Sequence, residues 1–158
     1  MLLMSVPHFV HQDPVLWAKG AGVLATLGLG FVVFRFTRML MRARAVPSAI
    51  LAASVAVGFL LTSPVTAVHA VSGMETMLFA CLLTWFLERT TRLALQPSRK
   101  EAILCGHAGL LAALTRPEAN IAVVVALFML LIGGPIKVGA YLRIFLLTYA
   151  IPVGLYWL

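Results

Sequence analysis

Five acidic side chains, Asp13, Glu75, Glu88, Glu101 and Glu118, are spread over the 158 residues. Two of them stand in short polar motifs that could do chemistry. One motif is Val71-Ser72-Gly73-Met74-Glu75-Thr76 and the other Leu114-Thr115-Arg116-Pro117-Glu118. Two carboxylates, a guanidinium and hydroxyls could line a polar pocket. The plainer reading is two capped helices. Ser72 is a suitable N-cap, Pro117 a suitable first-turn residue, and Glu75 and Glu118 complement helix dipoles. An Arg116–Glu75 ion pair would then tie the two helices together. His8, His11 and Asp13 do not have the spacing of a helical metal-binding pair, so no metal is expected. The sequence contains no Walker loop, dinucleotide fingerprint or nucleophile elbow, and no cofactor is expected.

The elements that must carry these motifs are hydrophobic. Apolar residues make up 62% of the chain and charged residues 11%, with a mean hydropathy of +1.03. A soluble domain has about 25% charged residues, so the composition points to an integral membrane protein. The net charge of +7 is not read as a nucleic-acid surface, because the basic residues cluster between apolar segments. Cys81 and Cys105 sit in apolar runs and read as small packing residues.

The pattern predicts an all-α transmembrane bundle of six helices in a single domain over residues 1–158. A first helix covers residues 15–36 behind Pro14, and a second covers 48–62, stopped by Ser63-Pro64. Residues 65–73, with His69, read as a loop. Further helices cover 75–93, 101–115, 119–132 and 138–158, with turns at Gln96-Pro97-Ser98 and Gly133-Gly134-Pro135. The fourth is rich in Ala102, Gly106, Gly109, Ala112 and Ala113, which permits close packing. Trp85 and Phe86 beside Glu88-Arg89 read as an interfacial belt, and His107 as an interhelical hydrogen-bond partner.

Charge sets the orientation. With the N-terminus outside, Arg35, Arg38, Arg42, Arg44, Arg89, Arg92, Arg99, Lys100, Lys137 and Arg143 all lie inside, leaving only Lys19 and Arg116 of the twelve basic residues outside. The positive-inside rule favours this topology. It places both polar motifs at the outer end of the bundle.

The stretch from His69 to Glu118 resembles the GT-C superfamily of integral membrane glycosyltransferases. The nearest likeness is to bacterial mannosyl- and arabinofuranosyltransferase-like proteins that use polyprenyl-phosphate sugars. Their pattern is an S-G-L-E-T-P motif opening a helix, then a basic loop and a small-residue helix ending in L-T/A-R-P-E. Here Met74 and Met77 replace the Leu and Pro of the first motif, and the second matches throughout. The two stand about forty residues apart, in the family's order. The resemblance implies transfer of a sugar from a lipid-linked phosphate to an extracytoplasmic acceptor in the cell envelope, with the chain in the inner membrane and its site facing out. Arg116 would hold the phosphate, Glu75 and Glu118 would orient it or bind sugar hydroxyls, and Ser72 and His69 would add contacts. Expected partners are membrane lipids and the polyprenyl-phosphate sugar donor, and no nucleic acid.

The family places its catalytic base in an acidic loop after an earlier helix. That helix and loop have no counterpart here, and Asp13 is the sole acidic residue upstream of the first helix. The chain is therefore expected to be an internal fragment, inactive by itself, with a complementing fragment as partner. The rival readings are a small non-catalytic membrane scaffold and a transporter subunit. A transporter would be expected to show broken helices or an internal repeat.

Overall fold

In a computed structural model, residues 14–43, 48–72, 74–133 and 136–157 are described. Among them every regular element is an α-helix: α1 (Pro14–Ala43), α2 (Ala49–Thr62), α3 (Pro64–Ser72), α4 (Met74–Leu95), α5 (Arg99–Thr115), α6 (Ala119–Gly133) and α7 (Ile136–Trp157). The ends follow local chemistry. Pro14 opens α1, where a missing N–H costs no intrahelical bond. Ser98, in extended conformation, caps α5 by accepting from the Glu101 N–H at 3.2 Å. Arg116 ends α5 because the residue before a proline is driven to extended backbone, here φ −146° and ψ 129°.

Among the described residues seven helices stand where six are expected. The difference is α3, in the stretch read from sequence as a loop. Ser63 is extended, at φ −66° and ψ 125°, as Pro64 demands. Pro64 is itself well suited to a first helical turn. The helix therefore stops for one residue and restarts with a 60° bend.

Two helical stretches, Trp17–Ala43 and Gly139–Tyr156, are long and apolar enough to cross a membrane, and the bent α2–α3 pair makes a third if taken as one span. Six such spans are not found among the described residues. The 22 residues of α4 suffice in length, but Glu88, Arg89 and Arg92 charge its second half. The 15 residues of α6 extend only about 22 Å. Large apolar side chains stand exposed along the helices, among them Phe59 at 76% and Ile132 at 71%. Such surface is costly in water and suited to lipid. By length, composition and exposed apolar surface, these helices are suited to a membrane.

The helices form two compact units that meet within α4, between Cys81 and Leu82 in sequence. In the first, α1 packs against α2 and α3, and Ala25, Leu29 and Met77 form the core. The Ala70 carbonyl occupies the space a Cβ on Gly22 would take, so only glycine there lets α3 lie this close to α1. Thr26 is buried and spends its hydroxyl on the Gly22 carbonyl at 2.8 Å, which satisfies a donor that lipid could not.

In the second unit α5 is the central helix. Its small residues Ala102, Cys105, Gly106, Ala108, Gly109 and Ala112 are all buried, as the composition predicts. Gly106 faces Thr148 of α7, and Gly109 faces Phe86 of α4 and Val123 of α6. Phe86 is fully buried and belongs to this core, not to an interfacial belt. The geometry explains why: a residue without a side chain at 109 leaves room for a whole ring.

Candidate functional site

The Arg116 motif forms a tight turn at one end of the second unit. The Arg116 N–H still bonds to the Ala112 carbonyl at 3.0 Å, closing α5. The carbonyls of Arg116, Pro117 and Glu118 then accept from the N–H groups of Ala119, Asn120 and Ile121, each at 3.1 Å. These i to i+3 bonds wind the chain straight into α6. Thr115 turns its hydroxyl back onto Ala112 O at 2.7 Å. Glu118 therefore lies in the turn just before α6, one step outside the first helical turn expected for it, and its side chain is exposed. Arg116 is half-buried.

A second helix joins this turn. Asn120, one turn beyond Arg116, accepts at its Oδ1 a hydrogen bond from the Tyr149 hydroxyl of α7. The Tyr149 ring stacks on Phe145 at 6.2 Å between centroids, and Phe145 stacks on Phe86 at 6.3 Å. A column of three aromatic rings thus runs from the core to the Arg116 turn. Neither Asn120 nor Tyr149 is singled out by sequence. Asn120 lies two residues past the motif, which was a usable signal. Tyr149 lies 29 residues further on, and nothing local marks which turn of α7 meets α6.

The remaining candidate residues lie in the first unit. Glu75 opens α4 within its first turn and is exposed, as is His69 on α3. His69 sits on a helix instead of the expected loop. Ser72 is the last residue of α3. Asp13 lies outside the described residues. His107 bonds through Nδ1 to the Ile103 carbonyl of its own helix at 2.8 Å and is exposed, so the interhelical role expected of it is not what this ring nitrogen does.

At the far end of α5 the second unit holds a cluster of charges. Arg89 Nη1 contacts Glu101 Oε2 at 3.1 Å, and Arg92 Nη2 contacts Glu88 Oε1 at 2.7 Å. Arg89 also lies 3.8 Å from Glu88 and covers the Trp85 ring at 5.9 Å. Glu88 is fully buried. Two carboxylates and two guanidiniums balance in charge, so this cluster is suited to holding the α4–α5 hairpin in register and not to receiving a charged ligand. Among the described residues no group of three or more His, Cys, Asp or Glu is placed to hold a metal ion.

Comparison with protein-family models, with curated proteins and with solved structures gave no match.

Proposed function

We propose that this chain is a membrane glycosyltransferase module of the GT-C kind, which handles a sugar carried on a polyprenyl phosphate. The observation that carries the reading is the Arg116-Pro117-Glu118 turn. It presents a half-buried guanidinium and a carboxylate between two helices of a membrane protein, in the sequence order of that superfamily. Arginine matches phosphate with two parallel N–H bonds, which lysine cannot do. In the reaction an acceptor hydroxyl attacks the anomeric carbon, the bond from that carbon to the phosphate oxygen breaks, and polyprenyl phosphate leaves. A carboxylate takes the hydroxyl proton, and Arg116 offsets the charge gathering on the leaving phosphate. Glu118, two residues on from Arg116 in the same turn, orients the guanidinium or holds sugar hydroxyls. No residue of this chain is assigned as that base, and the chain by itself is expected to be inactive. The site faces outward from the inner membrane, with the N-terminus outside.

The test is binding of undecaprenyl phosphate to the chain in lipid nanodiscs, followed by native mass spectrometry. Arg116→Gln should weaken binding about tenfold or more, as loss of a charge-assisted bidentate contact does. Arg116→Lys should recover only part of it. Equal binding by all three proteins would remove the reading.

A transporter subunit is the second reading, and the 60° break between α2 and α3 favours it, since broken helices mark substrate sites in transporters. Against it, residues 45–74 contain no Asp, Glu, Lys or Arg, so the break offers no carboxylate to couple ion and substrate.

A further inference from the structure

We infer that Asn120 and Tyr149 together read the hydroxyl groups of the sugar on the lipid-linked donor. This rests on the transferase reading above and extends it to the part of the ligand that Arg116 does not hold. The Tyr149 hydroxyl spends its one proton on Asn120 Oδ1. That leaves the two amide N–H groups of Asn120 as donors and the phenolic oxygen as an acceptor. No protein group among the described residues takes those amide protons. Both side chains are half-buried, at a place where an amide with unspent donors needs water or a ligand. A bond made only to join α6 and α7 would need one donor and one acceptor, and a serine facing a tyrosine would supply them.

The remaining donors and acceptor match adjacent sugar hydroxyls, each of which can accept from an amide and donate to a phenol oxygen. Position agrees with this. The Asn120 N–H bonds to Pro117 O at 3.1 Å, so Asn120 follows one turn of chain after Arg116, whose guanidinium would hold the phosphate. Rigidity agrees as well. Tyr149 stacks on Phe145, which stacks on Phe86, and the latter two rings are fully buried. The hydroxyl therefore points where the core sets it, and a preorganised polar pair discriminates more sharply than a mobile one.

The experiment compares undecaprenyl phosphate with undecaprenyl phosphomannose as probes, on the full chain in nanodiscs. The wild type should bind the sugar-bearing lipid about tenfold more tightly than the bare phosphate. Asn120→Ala and Tyr149→Phe should each bring that ratio to about twofold or less, and Arg116→Gln should weaken both lipids together. Tyr149→Phe keeps the ring stack, and its thermal unfolding midpoint reports whether the unit remains folded. A ratio near one in the wild type, or a ratio unmoved in both variants, overturns the inference and leaves the phosphate reading standing. Failure of both lipids to bind removes the transferase reading, and the inference falls with it.

Discussion

Arg89 of α4 and Glu101 of α5 face each other across the turn between their helices, Nη1 to Oε2 at 3.1 Å. Glu101 also sits in the first turn of α5, where Ser98 caps the helix with a bond to the Glu101 N–H. One carboxylate thus serves its own helix dipole and the neighbouring helix at once. On the other side of Arg89, the fully buried Glu88 pairs with Arg92 one turn along. Breaking such a lattice strands a charge, whereas replacing all of it can be nearly neutral.

The hairpin lattice should therefore respond asymmetrically to mutation. Glu88→Ala removes the carboxylate that faces Arg92, which is partly exposed, while Arg89 keeps Glu101; with the cavity it leaves, it should lower stability by roughly 2–3 kcal/mol. Glu101→Gln keeps the shape and a hydrogen-bond acceptor and should cost about 1–2 kcal/mol. Unfolding in a detergent titration measures both. Equal losses would mean that burial of Glu88 does not set the energetics.

Gly106 should tolerate no side chain while Thr148 stands opposite. A Cβ at 106 would overlap Thr148 Oγ1 and lie 2.8 Å from Thr148 Cβ. Gly106→Ala should destabilise the chain by about 1–3 kcal/mol, as overpacking does. Thr148→Ala in the same chain should recover part of the loss and not all, because the Cβ at 148 remains. Additive losses in the double variant would show that α5 and α7 do not meet at this pair.

The basic ends of the helices should face the cytoplasm. In a chain whose Cys81 and Cys105 are replaced by serine, a cysteine at Glu118 should react with an impermeant maleimide added to intact cells. One at Ser98 should react only after the cells are opened. The reason is the charge of Arg89, Arg92, Arg99 and Lys100 around Ser98, which holds that turn inside. Labelling at Ser98 from outside would reverse the topology and take the Arg116 turn to the cytoplasmic face.

Pro64 should be what keeps α2 and α3 apart. Ser63 is extended before it, and alanine at 64 would restore an N–H and free the preceding residue to turn helical. In Pro64→Ala, spin labels at Leu51 and Val68 should move apart towards about 26 Å, the span of 17 residues of straight helix. An unchanged distance would assign the bend to the packing of Ala70 on Gly22.

Composition and punctuation carried much of the architecture. The apolar excess was enough to call for membrane helices, and Pro14, Ser98 and Pro117 marked helix ends through local backbone chemistry. The small residues of α5 announced close packing at Gly106 and Gly109. The two polar motifs around Glu75 and Arg116 were equally legible, since a charge in an apolar chain needs no partner to be noticed. Tertiary structure alone decided which faces meet. A helix such as α7, apolar nearly all round, has no polar face to say which side turns inward. So the burial of Phe86 and Phe145, the meeting of Tyr149 with Asn120 and the pairing of Arg89 with Glu101 could not be read from periodicity. The burial of Phe86 follows from where a side chain is missing, at Gly109, and the approach of α7 to α5 from the same absence at Gly106.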